Sequence, residues 1–255
     1  MTPGQIRFFS LVRRELNRFL KIKRQTLGAP LLETFLYISV FGAALGSRID
    51  ELHGIDYVVF IIPGLIMMAW AINAFANNSS SLLQQKFQRS IDDQLSSPAA
   101  PAELLLAFSF GGFLRGMIVA TFTFAAASVL VDIPVEHPLV LLPALFLVGF
   151  FFSQLGVLVG LRAEQFDDVS FYQTFVLQPL IFLGGVFYSG ALLDEPFQTL
   201  THFNPVYYMI GLVRYGFLGY SEVSIPLSLG LLSLAALVLF ALNYRLFLTG
   251  YRLRA

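Results

Sequence analysis

Six long apolar runs separated by short polar breaks organise the 255-residue chain. They cover roughly 30–47, 57–80, 104–131, 139–161, 170–189 and 225–248. A helix needs about 20 apolar residues to cross a hydrocarbon core of ~30 Å, and each run meets or approaches that length. The breaks are Arg48–Asp56, Gln84–Pro101 (with Lys86, Arg89, Asp92 and Asp93), Asp132–Pro138 and Arg162–Asp168. The pattern predicts an all-α membrane protein of six spans, a single domain over 1–255 with its bundle at 30–248.

Two stretches depart from the simple alternation. Residues 5–27 place Phe8, Val12, Leu16, Phe19 and Leu20 at helical spacing, with Arg7, Arg14, Arg18 and Lys21 on another face. This predicts an amphipathic interfacial helix, apolar side in lipid and basic side toward anionic headgroups. Gly28 and Pro30 are expected to break it from the first span. Ala191–Ser224 is too apolar for a solvated loop, yet Pro196, Pro205 and Gly211 interrupt it. It reads as re-entrant short helices between the fifth and sixth spans, tolerated where protein buries the backbone. A seventh span is the alternative, and it would place the C-terminal arginines on the wrong side.

Composition strengthens the membrane reading. Hydrophobic residues make up 56% and charged residues 13%, against ~25% charged in soluble domains; the mean hydropathy is +0.73. Lys and Arg fix the orientation. With the N-terminus in the cytosol, the inner segments hold Arg7, Arg13, Arg14, Arg18, Lys21, Lys23, Arg24, Lys86, Arg89, Arg162, Arg245, Arg252 and Arg254. The outer loops hold Arg48 and Arg214, and Arg115 falls in the third run. Both termini are then cytosolic, which requires an even number of spans. The N-terminal stretch lacks the apolar core and cleavage site of a signal peptide. The net charge is zero, so no basic nucleic-acid surface is expected.

Candidate chemistry is sparse. The chain has no cysteine, which excludes disulfides and thiolate metal sites. His53, His137 and His202 lie in separate outer loops without metal-ligand spacing. No Gly-x-x-x-x-Gly-Lys-Ser/Thr phosphate loop occurs, so no nucleotide site of that kind is expected. Gradient-coupled carriers usually hold acids deep in their helices; here only Glu33 and Arg115 stand out, as a possible buried pair. Polar residues cluster in the second run, from Asn73 through Asn77, Asn78, Ser79, Ser80 and Ser81. They read either as interhelical packing contacts or as the polar lining of a path, with Asn73, Asn77 and Ser80 as its candidates; Pro63-Gly64 would allow a kink in the same helix. In Gln84–Pro101, Phe87, Ile91 and Leu95 form an apolar stripe spaced by four, with Arg89, Asp92 and Asp93 off it. That predicts a short surface helix that docks on a partner or lies on headgroups. Arg162–Asp168 offers a second contact.

These residues resemble a known family. Gln178-Pro-Leu-Ile-Phe-Leu-Gly-Gly-Val-Phe-Tyr188, then Phe203-Asn-Pro-Val-Tyr-Tyr-Met-Ile-Gly-Leu-Val-Arg214, is similar to the ABC-2 type transporter permeases, membrane subunits of bacterial ABC exporters. Pro63-Gly-Leu-Ile-Met-Met68, Ser97-Pro98, and Pro30-Leu-Leu with Tyr37 and Phe41-Gly42 fit in the same order. The family commonly has Glu-Arg-x-x-Gly after the second span, where this chain has Phe87-Gln-Arg-Ser-Ile91.

The resemblance implies a permease homodimer in the bacterial inner membrane, joined to two copies of a separate ATPase subunit. It implies no enzyme activity in this chain and no bound cofactor, with ATP and Mg on the partner. The segment after the second span would be the coupling helix, contacting the ATPase through Arg89, Ile91, Asp92, Asp93 and Leu95. Glu164, Phe166 and Asp167 would add a second contact, and Asn204, Pro205 and Arg214 would belong to the outer re-entrant cap. Substrates of the family are drugs, lipid-linked glycans and other amphiphiles. An autonomous carrier or channel and a non-transporting scaffold stay open as alternatives.

Overall fold

The computed structural model describes residues 3–21, 23–44 and 51–253. The end of the first apolar run at 45–47, Arg48 and Arg254 lie outside the described residues. Among the described residues, four helices are long and apolar enough to cross a membrane: α3 (Tyr57–Phe87), α5 (Pro101–Leu130), α6 (Pro138–Arg162) and α11 (Ile225–Thr249). α2 (Lys23–Ala44) contributes a shorter apolar stretch, Gly28–Gly42.

The centre of the bundle is α3. Up to Ile72 it is apolar on every face, as a helix enclosed by others tends to be, and Phe60, Ile61, Ile62, Met67, Ala71 and Ala74 are fully buried. α5, α6 and α10 (Pro205–Leu218) pack around it. Small residues let the backbones approach, as in membrane bundles generally. Gly116 on α5 and Gly149 on α6 receive Trp70, and a Cβ at either would lie 2.3 Å from its ring. A Cβ at Gly156 would lie 2.4 Å from the Phe75 carbonyl oxygen. Outer faces stay apolar: Leu32, Phe35, Leu36 and Val40 on α2, and Leu227, Leu234, Leu237 and Val238 on α11, are exposed. Apolar surface on that scale calls for lipid or another chain.

At one end of the bundle, β1 (Glu51–Leu52) pairs antiparallel with β2 (Ile55–Asp56). His53 and Gly54, both at positive φ (56° and 76°), make the two-residue turn, a geometry suited to Gly and strained for most others. Asp56 then caps α3, accepting from the N–H groups of Val58 at 2.8 Å and Val59 at 3.3 Å. At the opposite end α3 leads into α4 (Ser90–Leu95), where Leu82, Ile91, Leu104, Leu105, Phe108, Leu161, Phe247 and Leu253 form a separate apolar cluster.

Two sequence expectations shift, and the short helices expected over 191–224 are present. The first helix, α1 (Pro3–Lys21), ends before Gly28, and α2 runs through Gly28 and Pro30 without a break. Pro30 is thus tolerated inside α2, its carbonyl still accepting from Thr34 Oγ1 at 2.8 Å. The fifth run is not one regular helix over 170–189. α7 (Phe166–Phe171) passes through a π-helical turn (Tyr172–Leu177) into α8 (Gln178–Phe182), and the chain turns at Gly185 (φ 86°). Pro179 has no N–H to donate to the preceding turn, and in the π turn Gln178 N–H reaches back to Gln173. The 191–224 stretch holds two short helices, α9 (Phe197–Phe203) and α10. α10 is apolar because it is buried against α3 and α6.

Candidate functional site

The α4 end of the bundle is assembled from two loops locked to each other. Lys86, in the last turn of α3, is buried, and its ammonium donates to the carbonyls of Leu161 (2.9 Å) and Ala163 (2.6 Å). These are unsatisfied acceptors at the C-terminus of α6, where a cation is favoured. Arg252 donates to the Arg162 carbonyl at 3.0 Å and pairs with Glu164 at 3.2 Å. Asp168 accepts the N–H groups of Glu164 (2.8 Å) and Gln165 (3.0 Å). Across the loops the rings of Phe87 and Phe166 stack at 5.6 Å and 11°.

This changes which residues face outward. Ile91 is 1% exposed, inside the apolar cluster at this end, and Leu95 is half-buried against it. The stripe of Ile91 and Leu95 therefore glues α4 to the bundle instead of forming a docking edge. The reason is the left-handed turn at Arg89 (φ 54°), which folds α4 back under α5. Phe87 at 57% and Phe166 at 52% are the outward aromatics. Arg89, Asp93, Glu164 and Asp167 are exposed beside them, and Asp92 is half-buried.

Behind α4 lies a buried polar chain. Arg14 and Arg18 do not point away from the bundle as the headgroup expectation requires; they turn inward on Glu15, which is 1% exposed. Glu15 accepts from Ser81 Oγ at 2.7 Å and Gln85 Nε2 at 3.1 Å. Gln85 in turn accepts from Gln94 of α4. Arg18 donates to the Asn77 carbonyl (2.7 Å) and side chain (2.8 Å), and Asn77 donates to Asn78 at 3.1 Å. Asn78 donates to Ser153 Oγ at 2.7 Å, and Ser153 to the Ser109 carbonyl at 2.7 Å. Gln154 donates to Ser109 Oγ at 2.6 Å, and Asn243 to Gln154 at 2.9 Å. The chain touches α4, α3, α1, α6, α5 and α11. Buried polar groups must find partners inside the bundle, and here they find each other.

Of the candidate path residues, Asn77 is fully buried in that chain and does not face an open path in this conformation. Asn73 is 7% exposed and donates to Ala69 of its own helix at 3.0 Å. Ser80 is half-buried and donates to Ala76. Glu33 is exposed on α2, and no ion pair joins it to Arg115 among the described residues. Arg115 lies about 21 Å along α5 at ~1.5 Å per residue.

At the opposite end, Asn204 and Arg214 bond separate backbone carbonyls of the 180–185 segment. Asn204 caps α10 by accepting from Val206 N–H at 3.0 Å and donates to the Leu180 carbonyl of α8 at 2.6 Å. Pro205 opens α10. Arg214 is not in a loop: it is 3% exposed within α10, donates to the Gly185 carbonyl at 2.8 Å and lies 3.9 Å over the Phe60 ring. Glu222, absent from the sequence candidates, accepts from Tyr207 Oη and Gly190 N–H, each at 2.8 Å. His53, His137 and His202 belong to no metal-ligand group among the described residues.

With this geometry in place, relatives identify the class. The ABC-2 type transporter family matches residues 6–218, and the chain belongs to that family of membrane permeases, which lack the ATPase domain. It is 39% identical over 246 residues, 96% of either chain, to the inner membrane transport permease YadH of Escherichia coli K12. It is 24% identical over 243 residues to nodulation protein J of Neorhizobium galegae, covering 92% of this chain and 90% of that one. Nodulation protein J of Rhizobium meliloti is 25% identical over 214 residues, 84% and 82% of the two chains. Membership implies that ATP is handled by a partner subunit.

Proposed function

We propose that the chain is the permease subunit of an ATP-driven exporter in a bacterial inner membrane, moving an amphipathic substrate out of the cytosol. It works as a homodimer with two copies of a separate ATPase, which carries ATP and Mg. The fold is a single domain of six spans: α2, α3, α5, α6, the α7–α8 run and α11. α1 lies at the cytosolic interface, and α9 and α10 form the outer re-entrant cap held by Asn204, Pro205 and Arg214. Both termini are cytosolic.

The observation that carries this reading is the surface at the α4 end. Lys86, Arg252 and the Phe87–Phe166 stack fix two loops as one platform, in a chain with no P-loop of its own. Phe87, Arg89, Asp93, Glu164, Phe166 and Asp167 are its outward contacts to the ATPase, with Ile91 and Leu95 fixing α4 from behind and Asp92 at the edge. Asn73 and Ser80, at the margin of the buried polar chain, are the remaining candidates for the path. An energy source outside the chain also fits the acids: α3, α6 and α11 contain none, and α5 only Glu103 in its first turn.

A tagged chain purified in mild detergent from its native host tests the reading. A P-loop ATPase should co-purify in equimolar amount. A chain that stays intact, assembles alone and shows no ATPase partner would overturn it in favour of an autonomous carrier.

A further inference from the structure

The buried carboxylate of Glu15 lies where α1 meets α3, and nothing in the platform described above uses it. Carrying a charge into a site 1% exposed is costly unless several donors meet it. Three do: Ser81 and Gln85 from α3 and Arg14 (3.0 Å) from α1, with Arg18 of α1 adding an ion pair at 3.5 Å. Its approach depends on Gly111 of α5, where a Cβ would come within 2.8 Å of the Glu15 Cβ. Gln85 is the second node. Its amide nitrogen donates to Glu15 and to Ser81, while its oxygen accepts from Gln94 of α4 and from Arg14 of α1. Gln94 is itself buried. A displacement of α4 therefore meets α1 through two side chains, Gln94 and Gln85, beside an open cavity of about 980 Å³ that Arg14, Gln85 and Ser90 help to line.

We infer that Glu15, Gln85 and Gln94 form a polar yoke that makes the interfacial helix α1 move as one body with α4. Glu15 and Gln94 are positioning residues for coupling: they touch neither substrate nor nucleotide, and they act by keeping α1 in register with the helix the ATPase pushes. The inference rests on the proposed role of α4 as the ATPase contact. Polar contacts suit this task, because their directional geometry resists sliding where apolar packing would allow it. Glu15, Gln85 and Gln94 are themselves buried, which strengthens the bonds between them.

The absence of cysteine makes the test direct. Asn17→Cys on α1 and Ser96→Cys at the C-cap of α4, both at exposed positions, carry nitroxide labels in the reconstituted permease–ATPase complex, diluted with unlabelled chain so that each distance is read within one protomer. Distances are recorded nucleotide-free and after trapping with ATP and vanadate, and a third label pair between the ATPase and Ser96→Cys reports whether trapping moves α4. The expected result is one narrow α1–α4 distribution, the same in both states. Gln94→Leu, close in size and leaving every donor to Glu15 in place, should bind the ATPase as before, yet shift or broaden that distribution in the trapped state alone. Glu15→Gln should do the same.

A purely structural role predicts lower thermal stability with the distances unchanged on trapping, and that result in Gln94→Leu would overturn the yoke. An α1–α4 distance that already changes on trapping in the unmutated chain would overturn it too. Failure of the chain to bind any ATPase would instead remove the functional reading on which the yoke stands.

Discussion

Ile91 and Phe87 sit four residues apart on what the sequence presents as one apolar stripe, and the structure gives them opposite work. Ile91 fills a buried pocket with Leu104, Leu105 and Phe247, whereas Phe87 is mostly in solvent against Phe166. Ile91→Ala should therefore destabilise the folded chain by roughly 2–5 kcal/mol, the range for emptying a packed site of that size. Phe87→Ala should cost no more than about 1 kcal/mol, the worth of one aromatic pair, and should weaken ATPase association instead. Thermal unfolding in detergent and co-purification yield separate the two effects. If Phe87→Ala unfolds the chain while retaining its partner, the outward surface has been misassigned. Spacing by four revealed the stripe but not its direction, because the left-handed residue at Arg89 that turns α4 under the bundle has no signature in an Arg codon. Glu15 was hidden for a similar reason: a lone acid among arginines reads as surface charge until α3 supplies Ser81 and Gln85 opposite it. Gln154 and Asn243 did leave a signal, as isolated polar residues in otherwise apolar runs, where a partner on another helix is the expectation.

The elements were legible to the extent that length and hydropathy determine them. α3, α5, α6 and α11 follow the apolar runs closely, since nothing but a continuous helix satisfies twenty-odd backbone amides in lipid. The fifth run was less legible because Pro179 diverts its hydrogen bonding into a π turn, and the α1–α2 boundary because Pro30 is tolerated inside a helix. What hydropathy cannot show is which faces touch, and there the glycines decide. At Gly156 the α6 backbone rides against the Phe75 carbonyl of α3, leaving no room for a methyl group. Gly156→Ala should push the two helices apart at a cost of about 1–3 kcal/mol, typical of overpacking. Gly230 of α11 has no atom within 4 Å of where its Cβ would stand, so Gly230→Ala should be neutral or gain up to about 1 kcal/mol from helix propensity. Measured together by thermal unfolding, equal effects at the two sites would show that α3 and α6 are not in close backbone contact.

At the scale of the whole molecule the two ends of the bundle are chemically distinct, and that asymmetry makes the membrane orientation testable. One end carries Lys86, Arg89, Arg162 and Arg252 with α1 beside it; the other carries Glu51, Glu136, Glu195, Glu222 and the three histidines. A positive-inside bias of this kind sets orientation during insertion, and an even number of crossings is needed for α1 and the end of α11 to share a side. In the proposed six-span arrangement the α7–α8 run is the shortest crossing: its 166–182 helix spans about 25 Å at ~1.5 Å per residue, short of a ~30 Å core. In that arrangement the turn at Gly185 followed by the buried α10 supplies the remaining depth from protein. Single cysteines placed in the cysteine-free chain and probed with a membrane-impermeant maleimide on intact cells resolve this. Glu51→Cys and Glu195→Cys should react from outside, while Gln88→Cys, Glu164→Cys and Tyr251→Cys should react only after the membrane is opened. Labelling of Glu164 and Glu195 from the same side would mean that α7–α8 dips in and returns, leaving an odd number of crossings. Tyr251 would then fall outside, and the platform at α4 would lose the Arg252 contact that locks its second loop.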